Sequence, residues 1–204
     1  VEMHSYKHSN FFYKGIPIEN HKFYLNVEHY PLTVQVNDLL KQCLNPQKTD
    51  LLGGECSVLI PSPAFNTLFL AFHAAQHYGS GLALHHLCDW AMLLKTYGLR
   101  LPEELKDKRF LEGIAAFTRM TNQYLGTHVE VTGGEELAEE VLQEVLHSKF
   151  PHKAVVSVKS RWGILKYKTR RFLYMSRVSN RILYLPLWKR VWQSVVGHIR
   201  HPET

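Results

Sequence analysis

The stretch Phe65-Asn66-Thr67-Leu68-Phe69-Leu70-Ala71-Phe72-His73-Ala74-Ala75-Gln76-His77 sets the reading of this chain. Ser62-Pro63 ahead of it is a helix start. A serine hydroxyl can cap free N–H groups, and proline at the first helical position lacks the donor that would go unpaired. The helix is expected to run to about Tyr78 and to stop at Gly79-Ser80-Gly81. His73 and His77 are four apart, so they share one helix face. The next segment, Leu82-Ala83-Leu84-His85-His86-Leu87-Cys88-Asp89-Trp90, opens a second helix that ends before Gly98. The short Gly-rich link predicts an antiparallel hairpin that carries Asp89 back toward His77. Of the pair His85-His86, one is expected to face solvent.

Three readings of His73, His77 and Asp89 stay open. In the structural one, Asp89 accepts a hydrogen bond from a histidine, since buried polar groups satisfy one another. In the second, these residues contact a substrate or phosphate at the mouth of a cleft, and His4 joins the same polar cluster. In the third they hold a metal, because a helical His-x3-His pair is a ligand spacing for zinc or iron. The adjacent His-Asp pair of helical phosphohydrolases is not met, because Leu87 and Cys88 separate His86 from Asp89.

Working outward, a third helix is expected from Pro102, where Glu103 and Glu104 suit its positive end. It breaks near Arg109 and resumes to Leu125-Gly126. Glu135 to His147 is amphipathic, with Leu137, Val141 and Val145 on one stripe. Two more helices follow, over 156–178 and 186–199. Upstream, Val1 to Lys7 reads as a strand, and residues 9–31 as an aromatic, irregular packed loop with short helical or extended pieces. Val34 to Leu44 is a short helix ended by Asn45-Pro46. Gly53-Gly54 is a turn, and Cys56 to Ile60 a short strand. The expectation is a mainly α chain with a small α+β N-terminal portion, divided into 1–61 (strands and loops), 62–150 (helical) and 151–204 (basic, aromatic and helical).

The chain has 204 residues, 45% of them hydrophobic and 21% charged, enough for a real core and unlike a disordered chain. Its three cysteines, Cys43, Cys56 and Cys88, form no CxxC pair, which points to buried thiols in a reducing cytosol. The first residue is Val1 rather than an initiator Met, as in a trimmed chain. No apolar run approaches the length of about 18 residues that a membrane span needs. The net charge of +6 conceals an asymmetry. Residues 1–150 carry 12 Lys+Arg against 17 Asp+Glu, a net of −5, whereas residues 151–204 carry 12 against Glu203 alone, a net of +11.

In that basic segment Lys166, Lys168, Arg170, Arg171, Arg177, Arg181, Lys189 and Arg190 alternate with Trp162, Tyr167, Phe172, Tyr174, Tyr184, Trp188 and Trp192. One reading is a helix pair whose aromatics pack on the domain and whose charges are solvated. A second is a membrane surface, a lipid-linked substrate or an acidic partner. Leu187, Trp188, Val191, Trp192, Val195 and Val196 form an apolar stripe flanked by Lys189, Arg190 and Arg200, as membrane-peripheral helices do. Nucleic acid is the weakest of the readings, since no binding motif supports it.

Several segments together resemble the uncharacterised nucleotidyltransferase family common in bacterial polysaccharide gene neighbourhoods. They are Val1-Glu2-Met3-His4, Ile60-Pro61-Ser62-Pro63-Ala64-Phe65-Asn66, His73…His77…Asp89-Trp90, Tyr124-Leu125-Gly126 and Leu187-Trp188-Lys189-Arg190-Val191-Trp192. The resemblance implies a polymerase-β-like core, whose strands 1–61 would partly retain ahead of the helical bundle. Such a core holds a nucleoside triphosphate on a Gly-Ser turn. Asp-x-Asp and a third carboxylate hold magnesium or another divalent metal for in-line attack on the α-phosphate. Here Gly79-Ser80 is the only Gly-Ser pair, no Asp-x-Asp follows it, and it lies between two helices. The resemblance therefore implies a catalytic half upstream of Val1. Glu2 is the one position that matches the third carboxylate, a metal ligand in the intact protein only.

Three functions follow. The chain is the C-terminal, substrate-side helical part of a nucleotidyltransferase that uses a nucleoside triphosphate and an unknown acceptor, inactive and without cofactor on its own. Alternatively it is a non-catalytic interaction or membrane-peripheral module. In the third, it is a metal-dependent hydrolase built on His73, His77 and Asp89. The expected location is cytoplasmic, with the membrane surface as an option.

Overall fold

Helix α2 (Pro63–His77) forms where Ser62-Pro63 places it. The Ser62 hydroxyl accepts from the Phe65 N–H at 3.2 Å and donates to the Cys43 carbonyl, so one side chain caps α2 and ties it to the end of α1 (Pro31–Cys43). The computed structural model describes residues 3–4, 8–21, 24–25, 30–51, 54, 56–148, 150 and 160–200, and seven helices and five strands lie within them. The mainly helical reading with a small N-terminal β portion holds.

Within the stretch 9–31, expected as a packed loop with short helical or extended pieces, the extended pieces form a hairpin of β2 (His8–Tyr13) and β3 (Ile16–His21). Lys14 and Gly15 both have positive φ, 51° and 79°, the two-residue turn whose twist matches antiparallel strands. Strand β1 (Met3–His4) pairs with β2 in antiparallel register, Met3 opposite Asn10 and His4 opposite Ser9. The remainder of the expected 1–7 strand, Glu2 included, lies outside the described residues. A second hairpin pairs β4 (Gln47–Leu51), a strand the sequence pattern did not announce, with β5 (Cys56–Ile60).

The core lies under the helices. Leu68, Phe72 and Ala75 of α2 meet Leu87, Trp90 and Leu94 of α3 (Leu84–Tyr97), and Phe110, Ile114 and Phe117 of α4 (Lys108–Leu125) close over them. Trp90 is 1% exposed, and its indole N–H donates to Thr118 Oγ1 at 3.2 Å, locking α3 to α4. Helix α4 begins at Lys108 rather than at Pro102. Asp107 supplies the cap there by accepting from the Phe110 N–H at 2.9 Å, and ahead of it a turn at Glu103-Glu104 leads to the buried Leu105. Helix α5 (Glu135–His147) packs Leu137 and Val141 against α4 with the expected stripe.

The basic segment forms α6 (Arg161–Ser179) and α7 (Leu187–Arg200). The link between them is pinned to the core: Ile182 and Leu183 are fully buried. A Cβ on Gly113 would lie 2.6 Å from Ile182 Cγ2, so glycine is what lets this link reach α4. Arg109 donates to the Asn180 carbonyl at 3.2 Å, and Arg190 to Asn180 Oδ1 at 2.7 Å. No helix among the described residues is long and apolar enough to cross a membrane.

Candidate functional site

The α2–α3 hairpin brings three histidines together. The turn between the helices is Gly79-Ser80-Gly81, with Gly79 at φ 83°. The Ser80 N–H donates to the His77 carbonyl at 2.9 Å, and its hydroxyl reaches the Gln76 and His77 carbonyls at 3.2 and 3.3 Å. The Gly-Ser pair thus closes α2 as a turn, as its place between two helices suggested.

His73 and His77 project from one face of α2, ring centroids 4.7 Å apart. His86, from the first turn of α3, completes the group with centroids 4.6 Å from His77 and 5.5 Å from His73. One ring nitrogen from each of the three lies within 4.8 Å of the other two. Among the described residues this is the one set of three or more potential ligands that a single ion could reach. His86 is buried, and His73 and His77 are half-buried. His85 faces solvent with its ring 3.9 Å from that of His86, which bears out the expected split of the pair.

His86 is held by backbone. Its Nδ1 sits 3.1 Å from the Ala83 nitrogen and 3.2 Å from the Ala83 carbonyl oxygen. An unprotonated Nδ1 accepts from that N–H, much as the third residue of a capping box reaches back to the helix start. A protonated Nδ1 donates to that carbonyl. Burial pushes the His86 pKa down to about 4; the Ala83 backbone contact opposes this, and His77, His85 and His73 add to it. Burial also lowers His73, helped by His85 and opposed by Asp89. Both rings are therefore neutral near pH 7, the form that offers a lone pair.

The sequence pattern singled out His73, His77 and Asp89. The structure places Asp89 one turn beyond His86, exposed, where its charge still favours protonation of His73. His86 takes the third position. His4 lies in β1 opposite Ser9. The available signal for His86 was its position three residues into a helix that follows a tight glycine turn.

The basic residues divide by role. Lys166, Lys168, Arg170 and Arg177 are exposed on α6, and Arg171 is half-buried. Arg181 pairs with Glu140 at 3.0 Å, and the Arg190 guanidinium lies 5.4 Å over the Tyr30 ring and holds the α6–α7 link, so these two are committed to the fold. Lys189 lies over Trp188 at 5.4 Å. A cleft of about 1010 Å³ between α5 and α6, which the sequence pattern did not announce, is lined by Tyr78, Glu140, Glu144, Tyr174, Arg177 and Arg181. Glu144 is 4% exposed and accepts from Ser148 Oγ at 2.7 Å and from the Tyr174 hydroxyl. Burial, with the charges of Glu140 and Glu144, pushes the Tyr78 phenol up.

The magnesium implied by a polymerase-β-like centre calls for carboxylate oxygens. Three imidazoles are the wrong donor set for it, and Glu2 lies outside the described residues. No curated protein and no solved structure matches the chain. A family model described as "uncharacterised nucleotidyltransferase" matches residues 1–126, which hold both hairpins and helices α1 to α4, and the chain therefore belongs to the uncharacterised nucleotidyltransferase family.

Proposed function

We propose that this chain supplies the substrate-side helical part of a nucleotidyltransferase that uses a nucleoside triphosphate and an acceptor of unknown chemistry, and that it transfers no nucleotide alone. The family match over 1–126 carries the reading. The donor chemistry of the described residues supports the second half of it. In-line transfer needs carboxylates to hold divalent metals, and among the described residues the one ligand group within reach of an ion is made of imidazoles. In this reading magnesium or a related divalent ion belongs to the intact protein, with Glu2 as its third carboxylate. The aromatic hairpin supports an N-terminal portion built to pack on more protein: Phe12, Tyr13 and Ile16 are 67%, 60% and 61% exposed.

The test pairs the chain with the product of the complete reading frame. Each is incubated with the four nucleoside triphosphates and magnesium, and pyrophosphate release is measured. Release by the longer protein and none by the chain is the expected result. Transfer by the chain alone overturns the inactivity, and an upstream sequence without Gly-Ser and Asp-x-Asp overturns the assignment.

A second reading, a membrane-peripheral module, rests on α7. Leu187, Trp188, Val191, Trp192 and Val195 are 46–67% exposed along one stripe, with Lys189 beside it. Amphipathic helices of this composition lie in the headgroup region of anionic bilayers. Co-sedimentation with phosphatidylglycerol vesicles at low salt is the expected outcome, and a chain left in the supernatant removes this reading.

A further inference from the structure

We infer that His73, His77 and His86 form a binding site for a divalent transition-metal ion of the zinc class, separate from the carboxylate metal centre that nucleotide transfer requires. The first two ligands sit at i and i+4 on one helix face, and the third crosses from the next helix. Three nitrogens within 4.8 Å of one another are close to a coordination triangle. Zinc binds imidazole at about 2.0–2.1 Å, which puts tetrahedral ligand pairs about 3.4 Å apart. Closing the triangle therefore asks for about 1.4 Å at most between any pair, a displacement that small χ rotations of the half-exposed His73 and His77 supply.

The frame around the rings is firm. Ser62 caps the start of α2, and Trp90 bolts α3 to α4 one turn beyond His86. The ring of His86 already has the backbone partner that ligand histidines use. With its proton on Nδ1 it donates to the Ala83 carbonyl, leaving the Nε2 lone pair for the ion. Donor type selects the metal: three borderline nitrogens suit zinc, cobalt, nickel or copper and reject magnesium and calcium. Three protein ligands leave the fourth position to water, as in catalytic rather than structural zinc sites.

The test uses the whole chain, stripped with a chelator and then equilibrated with zinc or cobalt(II). One zinc per chain is expected, with the intense visible absorption of four-coordinate cobalt in the cobalt form, and about a thousandfold excess of magnesium leaves both unchanged. His77→Gln and His86→Gln should each weaken zinc at least about tenfold. His85→Gln, on the exposed neighbour, should change it by less than about twofold. Imidazole ¹⁵N spectra of the zinc form should place the His86 proton on Nδ1. The inference is overturned by a chain that retains no zinc after dialysis, by an octahedral cobalt spectrum, or by a His85 variant that loses as much affinity as the His77 variant. Should the His86 variant fail to fold, His73→Gln takes its place, and the wild-type stoichiometry and cobalt spectrum decide the matter without any variant. A negative result leaves the nucleotidyltransferase reading untouched, since its metal centre uses other ligands.

Discussion

Helices α2 and α3 and helices α6 and α7 are both consecutive pairs of aromatic-rich helices, yet they end in opposite states. The first pair buries its large apolar side chains: Leu68, Phe72, Leu87 and Trp90 are all below 5% exposed. In the second pair the only described side chains in that class are in the link, at Ile182, Leu183 and Leu185, while Trp162, Trp188 and Trp192 remain at 81%, 67% and 66%. Aromatic content alone therefore does not decide burial. The first pair packs on α1 and α4, whereas the second is held through its link and through Tyr174 and Arg181 on α5, and leaves α7's stripe to solvent.

That contrast breaks most severely at Trp90. Trp90→Ala removes a filled core volume together with the Thr118 contact, and a loss of about 3–5 kcal/mol is expected in urea unfolding. Ile182→Ala attacks the apolar anchor of the second pair. It should cost about 2–4 kcal/mol, and cleavage by a protease should appear within 160–200 before the rest of the chain yields. Retention of full protection there would mean that the contacts of Tyr174 and Arg181 with α5 hold the second pair without it.

Acid should act on the first pair through His86. In the metal-free chain His86 is neutral, with its pKa pushed down to about 4, against about 6.5 in an unfolded chain. The unfolded chain takes up the proton first as pH falls, so stability present above about pH 6.5 drains away between 6.5 and 4. A His86→Gln chain should lose that part of the pH dependence, measured as the unfolding midpoint at several pH values. Smaller again is Ser62→Ala, which removes the cap of α2 and the Cys43 link for about 1 kcal/mol. The least effect on stability belongs to the double change Trp188→Ala and Trp192→Ala, within about 0.5 kcal/mol because both rings already face water. A larger loss would show that α7 packs against the domain in solution.

Much of the helical half was legible because its signals are local. Ser62-Pro63, Gly98 and Gly126 mark ends where the chain itself caps or releases the backbone, and the Leu137–Val141 stripe marks α5 from its first residue to its last. The start of α4 was read six residues early, since Pro102-Glu103-Glu104 is a plausible first turn until Asp107 is seen to bond Phe110. The hairpin over 8–21 was hidden because its strands leave Phe12, Tyr13, Ile16 and Ile18 exposed, so no alternation marks an inner face, and the Lys14-Gly15 turn was the one local sign. Strand β4, Gln47 to Leu51, is mostly polar and is defined by its partner, β5.

The same division runs through the site. His73 and His77 follow from helix periodicity, which fixes residues four apart on a shared face whatever surrounds them. The choice between Asp89 and His86 as their neighbour does not follow from periodicity. It depends on how α3 is rotated about its own axis once Leu87, Trp90 and Leu94 turn into the core under α4. That rotation leaves Asp89 at the surface and sets His86 beside α2. By itself, then, the sequence determined the helices in outline, the cap of α2, the charge asymmetry and the family. Only the tertiary structure decided which third side chain meets the histidine pair and which aromatics stay wet, because local signals act along the chain, while burial and convergence are set by contacts between elements far apart in it.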